Sequence, residues 1–90
     1  MLESKAMAAE LKIYTWSTCP FCVRAKALLD SKNISYEEIS LDGKEDERMA
    51  LAQKTGQTSV PQIFINGEFK GGCDDLHALD ASGELDKLLA

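Results

Sequence analysis

The sequence predicts a small α/β domain, on three observations. An apolar, β-branched run, Leu11-Lys12-Ile13-Tyr14-Thr15, is followed by an amphipathic segment from Pro20 to about Ser31 and by a second strand-like run from Ile34 to Leu41. Strand, helix, strand in that order makes a right-handed parallel unit. Farther on, Asn66-Gly67 separates two short apolar runs, the strongest short-range signal for a two-residue hairpin. The stretches between and after these units carry apolar residues at helical spacing.

Ninety residues, 44% hydrophobic and 28% charged, suffice for one modest core and not for two. The chain 1–90 is therefore read as a single domain. Its net charge of −5 argues against general binding to nucleic acid or to anionic membrane, each of which calls for basic patches. No apolar run is long enough to span a bilayer. The opening segment, Met1 to Glu10, is broken by Glu3, Lys5 and Glu10. It lacks the apolar stretch of a secretory signal and is expected to be a flexible or partly helical arm, with Met7 an alternative start. Three cysteines, an odd number without an export signal, suit a reducing cytoplasm.

The first strand leads into Thr18-Cys19-Pro20-Phe21-Cys22. Proline fits the first helical position, where its fixed φ is helical and its missing N–H is not needed. Cys19 is thus the expected cap. Its sulfur would face unpaired N–H groups and the positive end of the helix dipole, which favour thiolate over thiol. Cys19 is expected to be at least partly ionised at neutral pH and to act as the nucleophile. Cys22, one turn deeper on the same side, would attack a mixed disulfide on Cys19 and release the bound partner. A zinc site is the rival for these residues, because Cys73 and His77 add two ligands at Cys-x-x-x-His spacing. The helix-starting Pro20-Phe21 and a chain long enough to build its core without metal favour redox chemistry and no metal.

Along the first helix, Cys22, Ala25, Leu28 and Leu29 form the inner face, with Arg24, Lys26, Asp30 and Lys32 elsewhere. Arg24 and Lys26 lie near the thiols. The Ile34–Leu41 strand breaks its alternation at Glu37-Glu38, which fits an edge. Asp42-Gly43 turns into a charged helix, about Lys44 to Thr55, closed by Gly56. Met49 and Ala52 are its expected inward residues. Pro61 cannot donate into a ladder and stands at the start of Gln62-Ile63-Phe64-Ile65, after a Val60-Pro61 bond that is either cis or an ordinary trans boundary. Gly71-Gly72 precedes Cys73-Asp74-Asp75, the cap and first turn of a helix containing Leu76 and Leu79, whose N–H groups can hold a carboxylate. Leu85, Leu88 and Leu89 give a short C-terminal helix over the core.

Taken together, Thr18-Cys19-Pro20-Phe21-Cys22, Thr58-Ser59-Val60-Pro61-Gln62-Ile63-Phe64-Ile65 and Gly71-Gly72-Cys73-Asp74-Asp75-Leu76 closely resemble the dithiol glutaredoxins. The likeness runs from about Leu11 to the C-terminus. It implies the thioredoxin fold, a four-stranded mixed β-sheet flanked by helices on both faces. It also implies a cytoplasmic, monomeric, glutathione-dependent thiol-disulfide oxidoreductase, acting on disulfide-bearing or glutathionylated proteins with glutathione as reductant and co-substrate. By the same resemblance Cys19 attacks the glutathione-bearing sulfur and Cys22 closes the internal disulfide. Val60, held by a cis Pro61, pairs its backbone with the cysteinyl part of glutathione, and Ser59 stands beside it. Cys73, Asp74 and Asp75 receive the γ-glutamyl end, and Arg48 reaches toward the glycyl carboxylate. Phe21 keeps the ring of the family's usual tyrosine, which flanks the site, without its hydroxyl. Trp16 stands where many relatives carry lysine, so Arg24, Lys26 or Arg48 would have to supply that charge. Cys73 is either a small buried residue or a regulatory thiol. Some relatives instead hold an iron-sulfur cluster between two copies, which Pro20 disfavours here.

Overall fold

The structure, a computed structural model, describes residues 10–89. Apart from Glu10, the predicted N-terminal arm lies outside the described residues. Strands β1 (Leu11–Thr15), β2 (Glu37–Ser40), β3 (Gln62–Ile65) and β4 (Glu68–Gly71) form one sheet in the order β2-β1-β3-β4. Helices α1 (Pro20–Ser31), α2 (Glu45–Thr55), α3 (Cys73–Ala81) and α4 (Glu84–Leu89) accompany it. β1 and β2 are parallel, with Tyr14 beside Ile39, whereas the β1–β3 and β3–β4 pairs are antiparallel.

Alternation along the strands sorts the core into two layers. Leu11 and Ile13 of β1 and Ile63 and Ile65 of β3 pack against Ala25 and Leu29 of α1, Leu76 of α3 and Leu85 of α4. The opposite face carries Phe64, with Tyr14 and Phe69 beside it, and joins Leu51 of α2 to Val60 and the two thiols Cys19 and Cys22. β3 is buried at all four positions because it lies inside the sheet with helices on both sides. This is the thioredoxin fold. The hairpin closes as expected, with Asn66 and Gly67 at φ 54° and 83°, the two left-handed positions that a type I′ turn demands.

Two expectations are corrected. The second strand begins at Glu37 rather than Ile34, because Asn33 turns left-handed at φ 57° and the Ile34 N–H goes back to the Leu29 carbonyl at 2.9 Å, finishing α1. These groups satisfy the helix end and are lost to the ladder. In α2 the residue that packs inward is Leu51, 9% exposed, and not Met49, which is 61% exposed. At about 100° per residue, Met49 lies some 200° around the helix from Leu51. Arg48, Ala52 and Thr55 share the partly buried side with Leu51.

Candidate active site at the head of α1

β1 delivers the chain to the loop Trp16-Ser17-Thr18, which is pinned where the Ser17 N–H donates to Asp42 Oδ1 at 3.0 Å. α1 then starts at Pro20 with Cys19 as its cap, in extended backbone at φ −122° and ψ 105°. Cys19 Sγ accepts the Cys22 N–H at 3.2 Å, as a capping oxygen would. The same sulfur lies 3.4 Å from the Val60 carbonyl, to which a thiol at position 19 donates. The strand-to-helix turn predicted from Pro20 thus aims the first sulfur at the loop before β3.

Cys22 is buried more deeply than Cys19. It is 2% exposed, and burial together with the hydrogen bond to Cys19 pushes its thiol up from 9.0 to about 12, with the Trp16 backbone and Lys26 pulling the other way. Desolvation disfavours the charged form, so Cys22 is a thiol at neutral pH. The two sulfurs belong to one buried cluster a turn apart, Cys19 at the helix cap and Cys22 deeper.

Beside Cys19 a cleft of about 200 Å³ gathers Phe21, Gln57, Ser59, Val60, Pro61 and the first turn of α3 from Gly72 to Asp75. The Val60–Pro61 bond is cis. Asp75 Oδ2 accepts the Gly72 N–H at 3.0 Å and closes the start of α3. A Cβ on Gly71, which sits at φ +107°, would run into the Asp75 carboxylate, and one on Gly72 would meet the Pro61 carbonyl at 3.3 Å. The glycine pair therefore lets α3 start against the proline loop. Cys73 is 4% exposed; burial pushes its thiol up, with Arg24 opposing.

Phe21, Ser59, Val60, Pro61, Cys73, Asp74 and Asp75 line this cleft, whereas Arg24, Lys26 and Arg48 do not. The Arg48 guanidinium lies instead 4.1 Å over the ring of Trp16, a residue that packs against the cluster holding both thiols. A cation therefore stacks on Trp16. Arg24 sits 5.7 Å over the Phe21 ring. The four zinc ligands considered from sequence are not assembled: among the described residues no group of three or more His, Cys, Asp or Glu side chains is arranged to hold a metal ion. His77 is exposed.

Two glutamines escaped the sequence reading. Gln57 lines the cleft, and its Nε2 donates to the carbonyls of Ser59 and Pro61 at 3.2 and 3.4 Å. Gln62 is 2% exposed. Its Nε2 donates to the carbonyls of Gln57 and Ser59 at 2.6 and 3.0 Å, and its Oε1 accepts from Thr55 Oγ1 at 3.0 Å. Together they hold the Gln57–Pro61 loop from within. A polar residue in an otherwise apolar central strand was the available signal.

The Glutaredoxin family profile matches residues 11–70. The chain is 54% identical to Glutaredoxin 3 of Escherichia coli over 81 residues, covering 90% of this chain and 98% of that protein. Among solved structures, the buckwheat glutaredoxin–glutathione complex superposes with a TM-score of 0.83 at 36% identity, covering 90% of this chain and 76% of that one. The dithiolic glutaredoxin of Trypanosoma brucei brucei does so with a TM-score of 0.83 at 39% identity, covering 100% of this chain and 96% of that one.

Proposed function

The chain belongs to the glutaredoxin family and is a thiol-disulfide oxidoreductase; from that premise we propose that it reduces protein disulfides and glutathione mixed disulfides through Cys19-Pro20-Phe21-Cys22, with glutathione as reductant. The observation that carries this reading is the position of Cys19, its sulfur capping α1 and lying 3.4 Å from the Val60 carbonyl at the cleft.

In this reading the Cys19 thiolate attacks the glutathionyl sulfur of a mixed disulfide. The protein's sulfur leaves with the bonding electron pair and takes a proton, and Cys19 keeps the glutathionyl group. A second glutathione thiolate then displaces that group as glutathione disulfide and restores Cys19. For a protein disulfide, Cys22 attacks the Cys19 sulfur bonded to substrate, the reduced substrate thiol departs, and glutathione later reopens the Cys19–Cys22 bond.

The cleft suits the tripeptide. Val60 offers its backbone to the cysteinyl part, with Ser59, cis Pro61 and Phe21 as walls. The N–H groups at the start of α3, around Cys73, take the γ-glutamyl carboxylate. Asp74 takes the ammonium in preference to Asp75, whose carboxylate is already committed to the Gly72 N–H. Arg48 is assigned the glycyl carboxylate. The whole chain is taken as one glutaredoxin domain working in the cytoplasm, where a reduced glutathione pool recharges it.

Deglutathionylation of a mixed-disulfide peptide, with glutathione and a coupled glutathione disulfide reductase, tests the assignment. Cys22→Ser retains this activity, since Cys19 alone carries that route. Cys19→Ser loses it, by roughly a thousandfold or more as expected for a missing nucleophile. Equal activity of Cys19→Ser and the parent, or no dependence on glutathione concentration, refutes the reading.

A further inference from the structure

Cys22 has to become a thiolate before it can attack the mixed disulfide on Cys19, yet it is 2% exposed. A second cavity, of about 330 Å³, is walled by both thiols, Cys19 and Cys22, together with Thr15, Lys26, Glu38 and Asp42. Lys26 is one turn below Cys22 on α1, the spacing at which helical side chains meet. Its Nζ lies 2.9 Å from Glu38 Oε2 on the edge strand β2. The same carboxylate oxygen accepts the buried Thr15 hydroxyl at 2.7 Å.

The ammonium is therefore held on the wall of the cavity that Cys22 also lines, one helical turn from it, by a carboxylate that is itself held to β1. We propose that Lys26, positioned by Glu38 and Thr15, is the counter-charge on which the Cys22 thiolate forms during the resolving step. The inference rests on Cys22 being the resolving thiol. Among the described residues, the charged or titratable groups on the cavity wall with it are Cys19 at the cap of α1, Lys26 from α1, Glu38 from β2 and Asp42 from the loop after β2. Asp42 is engaged by the Ser17 N–H at 3.0 Å. Cys19 opposes ionisation of Cys22 only while it is free. Once Cys19 is in a mixed disulfide its sulfur can carry no charge, so its opposition is removed and Lys26 acts on Cys22 unopposed by it.

The two members of the ion pair make opposite predictions. Replacing Lys26 by methionine removes the cation, so the Cys22 thiolate forms at higher pH. Replacing Glu38 by glutamine removes the anion but keeps an amide oxygen that can accept from Lys26 and Thr15, so the ammonium stays in place uncompensated and the thiolate forms at lower pH. A role in holding α1 to β2 and nothing more would move both variants in the same direction.

The step is read without glutathione. The reduced protein is mixed with less than one equivalent of an aromatic disulfide that releases the coloured thionitrobenzoate ion. Cys19 attacks first, releasing one ion and retaining the other as a mixed disulfide. Cys22 then loses its proton to solvent, its thiolate attacks Cys19 Sγ, and the second ion leaves with the bonding electron pair as the Cys19–Cys22 bond forms. The rate of this second release is followed against pH.

Lys26→Met should raise the midpoint by about one pH unit. That means tenfold less thiolate at pH 7, but a more basic sulfur gains reactivity with a Brønsted coefficient of about 0.4–0.5, so the net slowing is about threefold. Lys26→Arg should keep the parent profile, and Glu38→Gln should lower the midpoint. The first release, which is Cys19 chemistry, serves as the internal control for folding. An unchanged midpoint in Lys26→Met, or a shift of the same sign in both variants, overturns the proposal. A second release that persists in Cys22→Ser overturns instead the reading of Cys22 on which it rests.

Discussion

Gln62 binds three separate points of the chain with one side chain, and removing those bonds has a calculable cost. In Gln62→Leu the Gln57 carbonyl loses a bond of 2.6 Å, the Ser59 carbonyl one of 3.0 Å and the Thr55 hydroxyl an acceptor, all at a position 2% exposed. The Ser59 carbonyl keeps the Gln57 Nε2 donor at 3.2 Å and the Thr55 hydroxyl keeps the Leu51 carbonyl at 3.0 Å, so the cost is that of hydrogen bonds lost rather than of groups orphaned, about 0.5–1.5 kcal/mol, and the urea midpoint should fall by that equivalent. The Ser59-Val60 backbone is released by the same change, so KM for a glutathionylated peptide should rise. Alkylation of Cys19 should still proceed. The contrast with Cys19 shows what a sequence displays at this scale. Proline after a cysteine is a local signal, and the cap it announces is made within four residues. The partners of Gln62 lie three to seven positions away, at the end of a helix and in an irregular loop, and they meet it only once the loop has folded back. Gly71 and Gly72 fall between these cases: their freedom was legible, but the need for it, contact with Asp75 and Pro61, was not.

At the level of elements, α2 gives the sharpest test of the corrected packing. Leu51→Ala should cost about 2–4 kcal/mol through lost contacts and the cavity left behind, whereas Met49→Ala should lie within about 0.5 kcal/mol of the parent. Chemical denaturation of the two variants side by side checks both. The helix was mis-phased because Met49-Ala50-Leu51-Ala52 offers four adjacent apolar residues and nearly nothing else to fix the angle. By comparison α1, with Cys22, Ala25 and Leu29 spread over two turns, left no doubt about its inner face. β2 makes a second prediction. Glu38 is held below its ordinary value of 4.5 chiefly by the Lys26 hydrogen bond and then by Thr15, and Asp42 below 3.8 chiefly by the Ser17 N–H. For a carboxylate depressed in the folded state, the unfolded chain binds more protons, so the stabilisation is complete above the ordinary value and is lost as pH falls through the folded one. Stability should therefore decline through the acidic carboxylate range, and Glu38→Gln should flatten part of that decline in acid-dependent thermal melts. Both groups are exposed enough that the effect is a slope and not a collapse.

Across the whole molecule, three stretches far apart in sequence, Cys19–Cys22, Gln57–Pro61 and Gly72–Asp75, meet because β1 and β3 are neighbours and α1 and α3 share one face of the sheet. Local patterning could predict each stretch as a turn or a helix start, but only likeness to a family predicted their meeting. Composition adds a long-range property that no local motif carries. Fifteen acidic against ten basic residues give a formal charge of −5, yet Arg24 and Lys26 lie on the helix that carries the thiols, and Arg48 stacks on Trp16 beside them. In the proposed reaction the co-substrate glutathione is itself anionic, so the local cations must act against the field of the whole surface. For a protein or peptide substrate carrying glutathione the global field governs the encounter, because approach is felt over distances on the order of the Debye length, about 8 Å at physiological salt and longer when salt is low. A glutathionylated peptide rich in lysine should thus be processed with a higher kcat/KM than one rich in glutamate. The advantage should shrink as ionic strength is raised, and it should reside in association and leave the chemical step untouched. Measuring kcat/KM for the two peptides over a salt series, with single-turnover rates at saturating peptide as the companion reading, decides the point. A preference that survives high salt, or one that appears in the single-turnover rate, would place the selectivity in contacts at the cleft and not in the field of the molecule.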